Sequence, residues 1–150
     1  MSNVLFLDYD GVVNTPMWDE DGRCSFYTPS DNKVNDFQAV QWVSEFCQKF
    51  NYCIVVTSTW RTRDNYADCL RNGGLRQGVE ILGKTPYMFN ARDLEIRAYL
   101  REHPEVVRYI ILDDDDFYHD DPELNKHFIK CDGNHGFKLT EYERASELYF

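Results

Sequence analysis

Three short apolar runs, Val4-Leu5-Phe6-Leu7, Tyr52-Cys53-Ile54-Val55-Val56 and Val106-Val107-Arg108-Tyr109-Ile110-Ile111-Leu112, each stop abruptly on polar residues, and stretches with helical spacing lie between them. Runs this short and this rich in β-branched residues read as strands buried on both faces. From residue 36 the apolar positions Phe37, Val40, Trp42/Val43, Phe46, Cys47 and Phe50 recur at helical spacing, with Asn35 or Asp36 as N-cap and Asn51 at the end. Their aromatic stripe reads as core. Further helices are predicted over 62–70, closed by Asn72-Gly73-Gly74, over 93–100, stopped by Pro104, and over 140–148. Residues 127–131 read as a fourth strand, 14–35 as a long loop rich in Asp, Gly, Pro and Ser, and 77–86 as irregular. Strands alternating with helices predict an α/β chain, a parallel sheet with helices on both faces, in one domain spanning 1–150.

In such a sheet a ligand sits at the carboxyl ends of the strands, where this sequence places Asp8, Asp10, Thr57, Ser58, Asp113 and Asp114. The run Asp8-Tyr9-Asp10-Gly11 puts two carboxylates two residues apart, which strand alternation directs to one side while the glycine lets the chain turn behind them. Carboxylates that close raise each other's pKa unless a cation lies between them, so the pair implies a shared proton or a divalent metal with oxygen ligands. With magnesium as the cation and a phosphate ester as substrate, each part acquires a role. One carboxylate attacks phosphorus and the other exchanges the proton of the leaving oxygen and of the attacking water. A hydroxyl holds a non-bridging oxygen, and a Lys or Arg offsets the developing charge.

This set resembles the haloacid dehalogenase-like (HAD) superfamily of phosphohydrolases, down to the small capless HAD domains of nucleic-acid repair proteins and phages. The first family motif, DxDG, stands as Asp8-Tyr9-Asp10-Gly11, the second as Ile54-Val55-Val56-Thr57 and the fourth as Ile111-Leu112-Asp113-Asp114. The resemblance implies a Rossmann-like HAD fold with little or no cap. It implies Asp8 as nucleophile, Asp10 as general acid/base, and a magnesium site drawn from Asp8, Asp10 through its main-chain carbonyl, Asp113 and Asp114, with Asp116 in reserve. Thr57, with Ser58 beside it, would bind phosphate. The third motif needs a Lys or Arg, for which Arg92 is favoured over Lys84. Arg61 is a candidate for a second phosphate or a base, set against a surface salt bridge. Neither 14–36 nor 61–92 has room for a large cap, so the site should be open, which in the family goes with bulky substrates. The expectation is a phosphatase acting on a nucleotide or on a 3′- or 5′-terminal phosphate of nucleic acid. A phospho-ligand binding protein and a phosphoprotein phosphatase are the alternatives. Trp18, Phe26 and Tyr27 could stack a base or tuck into the core.

The net charge of −10 opposes strong non-specific nucleic-acid binding and association with anionic membranes. The five cysteines form no CxxC pair and read as reduced thiols, and the histidines lack the i, i+4 pairing of a zinc helix. No stretch approaches a membrane span, and no secretory signal precedes the first strand, so the chain is expected to be cytoplasmic.

Overall fold

The computed structural model describes residues 1–148. Its centre is a five-stranded parallel sheet built from β1 (Ser2–Leu7), β4 (Cys53–Val56), β5 (Ile81–Lys84), β6 (Val106–Asp113) and β7 (Phe128–Lys130), in the order β5-β4-β1-β6-β7. A small antiparallel hairpin of β2 (Met17–Trp18) and β3 (Cys24–Ser25) stands apart from it. The helices are α1 (Phe37–Phe50), α2 (Tyr66–Asn72), α3 (Arg92–Glu102), α4 (Pro122–Asn125) and α5 (Leu139–Leu148).

The sheet is buried on both faces, and alternation along β1 divides its residues between two cores. Leu5 and Leu7 join Ile54, Val56, Ile110 and Leu112 against α1, α2 and α5. Val4 and Phe6 join Val55 and Ile111 against Ile96 and Tyr99 of α3 and Leu124 of α4. Helix α1 starts at Asp36, whose carboxylate accepts the Ala39 N–H at 3.0 Å, and ends at Asn51 in the left-handed conformation. Phe37 at its first turn is exposed and not core, since it precedes the buried stripe of Val40, Val43 and Phe46.

Several expectations change. The segment 77–86 contains the edge strand β5, whose pairing with β4 shifts register next to Gly83, so it carries no long apolar run. The helix expected over 62–70 is a 3₁₀ turn, Thr59–Thr62, followed by α2. The loop 14–35 holds the hairpin and a second 3₁₀ turn, Pro29–Asp31, and α4 is too short to leave a periodic signal. Between β1 and α1, and between β4 and β5, no inserted domain stands among the described residues. Among the described residues no helix is long and apolar enough to cross a membrane.

Candidate active site

Register brings the site together. Leu7 pairs with Val56 on one side and with Leu112 on the other, so the next residue of each strand falls in one cross-strand row: Asp8, Thr57 and Asp113. The ladder continues through that row, with Thr57 N–H donating to Leu7 O at 2.9 Å and Asp8 N–H to Leu112 O at 3.1 Å. All three are in phase with Phe6, Val55 and Ile111, the residues that face α3. The first residue of α3 is Arg92, and its guanidinium reaches Asp8 at 3.3 Å and Asp113 at 3.1 Å.

Asp114 completes the acid group: carboxylate oxygens of Asp8, Asp113 and Asp114 all lie within 4.8 Å of one another. Two glycines make room for it. A Cβ on Gly133 would come within 3.0 Å of the Asp114 carboxylate, and one on Gly11 would overlap it. Gly11 also has φ +81°, a conformation that L side chains rarely adopt.

The electrostatics follow from this crowding. Asp8 is pushed up to about 6, by burial first, with Arg92 opposing and the charges of Asp114 and Asp10 adding to the rise. Asp113 is also raised well above the usual carboxylate range, by burial first and then by Asp8, with Arg92 opposing. One guanidinium thus serves two carboxylates that are nearly inaccessible to water. The group is short of positive charge.

Asp10 sits apart from the three-carboxylate group. The strand ends at Leu7 and the chain turns, with the N–H groups of Val12, Val13 and Asn14 all donating to Tyr9 O, so the alternation argument does not extend to Asp10. Its carboxylate is held from two sides, by Asn14 Nδ2 at 2.8 Å and by the Trp60 indole N–H at 3.4 Å. Asn14 is buried and also donates to Tyr27 O, while Trp60 packs edge-on against Tyr9.

Thr57 is buried, and among the described residues its hydroxyl has no hydrogen-bond partner. A buried hydroxyl left unpaired costs about 1–3 kcal/mol, so an acceptor or donor is expected to reach it when the site is filled. Ser58 is occupied otherwise, accepting the Trp60 N–H at 3.2 Å as the cap of the 3₁₀ turn.

Arg61 does not reach the acid group. Only 1% exposed, it donates to the carbonyls of Thr57, Ser58, Thr85 and Pro86 and pairs with Glu95 at 2.7 Å. These contacts use all five of its N–H donors, leaving none for a substrate. The surface salt bridge weighed against a substrate role is likewise replaced, by a buried one. Lys84 lies at the far edge, with Nζ donating to Arg61 O at 3.0 Å and resting over the Tyr66 ring. Asp116 is exposed and accepts the Tyr118 N–H, outside the acid group. Trp18 is exposed on the hairpin, whereas Phe26 and Tyr27 line a cleft beside Asp10.

Sequence reasoning passed over several supporting residues. Glu95 lies between Arg61 and Arg92, with its second oxygen 3.9 Å from Arg92 Nε. The Tyr118 hydroxyl donates to Asp113 at 3.4 Å. A Glu three residues past Arg92 on a helix is a readable signal for the first. Nothing in the spacing announces Tyr118 or Gly133.

A parallel sheet in this strand order, with the acid pair after its central strand, a buried hydroxyl beside it and further acids on the other flank, defines a HAD domain of the capless kind. Residues 4–142 match the family described as the HAD domain in Swiss Army Knife RNA repair proteins. The chain belongs to that family, and so to the HAD-type phosphohydrolases generally. No curated protein matches it.

Proposed function

We propose that the protein is a magnesium-dependent phosphomonoesterase that works through an aspartyl-phosphate on Asp8 and takes its phosphate from a nucleotide or a nucleic-acid end. The observation that carries this reading is the row Asp8, Thr57 and Asp113, with Asp114 and Arg92 converging on it. The donors suit magnesium, because all are hard carboxylate oxygens and Asp114 is seated in a cradle that only glycines leave open. Asp8, Asp113, Asp114 and the main-chain carbonyl of Asp10 would hold the ion, which would supply charge neutralisation for the phosphoryl oxygens.

The chain's own residues divide the reaction into two displacements. An Asp8 oxygen attacks phosphorus, forming an O–P bond as the bond to the leaving oxygen breaks, and Asp10 gives that oxygen its proton. Water then attacks the same phosphorus, Asp10 takes its proton, and Asp8 is released with inorganic phosphate. Asp10 is suited to both transfers because Asn14 and Trp60 hold its carboxylate outside the acid group. The free hydroxyl of Thr57 would bind a non-bridging oxygen. Arg92 would offset its charge while anchored to Asp8 and Asp113. Lys84 and Ser58, spent on Arg61 O and the Trp60 N–H, are the weaker partners of those two.

The substrate class rests on the open site and on the family's description, which concerns RNA repair proteins. The test is release of inorganic phosphate from mononucleotides, from 3′- and 5′-phosphorylated oligonucleotides, from a phosphopeptide and from a small alkyl phosphate, with magnesium and with chelator. Magnesium-dependent release, fastest on the nucleic-acid ends, is the expected result. Retention of ligand without any release would make the protein a binder, and preference for the phosphopeptide would move it to phosphoproteins.

A further inference from the structure

A cleft of about 500 Å³ opens beside Asp10 and is lined by Phe26, Tyr27, Pro29, Trp60 and Arg63. A second hollow of about 300 Å³ adjoins it, sharing Pro29 and Arg63 as its wall. We infer that this run is a leaving-group subsite for an oligonucleotide end, with the terminal nucleoside against the aromatic side chains and the next phosphodiester on Arg63. The inference rests on the phosphatase reading above and deepens it.

Three observations lead here. First, Asp10 itself lines the cleft, and it is the residue that would protonate the leaving oxygen, so the leaving group must extend from that side. A hollow on the opposite flank, beside Asp114, is lined by Lys130, Asp132, Glu141 and Arg144 and offers no aromatic face. Second, the walls are built. The Tyr27 main chain is anchored at its carbonyl, which accepts Asn14 Nδ2 at 3.0 Å, and the Trp60 side chain by its hydrogen bond to Asp10. Pro29 is tied across the cleft by Asn65 Nδ2, which donates to its carbonyl at 3.0 Å. Every base has a π-face, so aromatic walls accept a nucleoside with little preference among bases.

Third, Arg63 is exposed, and no hydrogen bond or ion pair engages its guanidinium among the described residues. In a chain of net charge −10 an uncommitted arginine on a cleft wall is a recognition element for an anion. The phosphate being cleaved already meets Arg92, so Arg63 serves a different one. A single such cation suits one further phosphate at a strand end and not a long tract, in keeping with the acidic remainder of the chain.

Phe26 and Arg63 are exposed, so Phe26→Ala and Arg63→Ala should fold. The probes are a small alkyl phosphate, a nucleoside monophosphate and a phosphorylated dinucleotide, the last two with 3′- and 5′-phosphate in separate arms. Turnover is measured on all, and equilibrium binding of the dinucleotide is measured over a range of salt. Arg63→Ala should lower kcat/KM on the dinucleotide about tenfold relative to the mononucleotide, and should flatten the log–log salt dependence of dinucleotide binding by about 0.7. Phe26→Ala should lower both nucleotides about tenfold relative to the alkyl phosphate. Magnesium-dependent turnover with both ratios and the salt slope unmoved would overturn the subsite and leave the phosphatase. No turnover on any probe, with dinucleotide binding that still depends on Arg63 and salt, would keep the subsite and overturn the phosphatase.

Discussion

At the scale of single residues, Thr57 separates function from stability. Its hydroxyl is buried without a partner among the described residues, so the folded protein bears a desolvation cost that a ligand would relieve. Thr57→Val keeps the shape and removes the unpaired group. It should hold or raise stability by about 1 kcal/mol in denaturant unfolding while lowering phosphate release at least about tenfold. Loss of stability with turnover intact would mean that the hydroxyl has a structural partner instead. Arg61 carries the opposite lesson. Its place directly after Thr57-Ser58-Thr59-Trp60 suggested reach toward a substrate, yet its fork turns inward and holds the strand-end loop by four carbonyls. Sequence shows that a long cation follows a strand end, but not which way the side chain points.

At the scale of elements, β1, β4, β6 and α1 were legible because each combines an apolar run of one period with a clear stop. Their stops also carried the candidate site: Asp8, Thr57, Asp113 and Asp114 stand where three strand ends meet, and register explains why the first three form a row. The elements that escaped reading have little periodic content. β5 is a four-residue edge strand containing Gly83, and α4 has four residues. The joint between elements was hidden as well. Glu95 on α3 ties the 3₁₀ turn through Arg61 to the residue that spans Asp8 and Asp113, a contact between segments far apart in sequence. Glu95→Gln would leave Arg61 buried without its counter-charge, while Arg92 keeps Asp8 and Asp113. It should cost about 3–5 kcal/mol in thermal or denaturant unfolding, well beyond what a surface ion pair would.

At the scale of the whole molecule, the acid group sets a dependence on pH and on cation. Asp8 stands at about 6 in the folded chain, above the roughly 3.9 of an unfolded aspartate, and Asp113 is displaced in the same direction. A folded state that binds these protons more tightly is favoured at low pH, and the advantage from Asp8 is lost as pH rises from about 4 through about 6. For Asp8 alone the change is on the order of 3 kcal/mol. The metal-free protein should therefore lose stability across this window. Magnesium, which needs the ionised carboxylates, should raise the melting temperature more at about pH 7.5 than at about pH 5. Equal stabilisation at both values would argue against the ion binding at this group.

The central claim is that Asp8 takes up the phosphoryl group, and a rapid acid quench tests it most directly. Wild-type protein and Asp8→Asn are mixed with magnesium and an oligonucleotide carrying a radiolabelled terminal phosphate, then quenched within the first turnover. Label bound to wild-type protein and lost as free phosphate is released, with none on Asp8→Asn, is the predicted result. Phosphate release by Asp8→Asn at the wild-type rate would contradict the account.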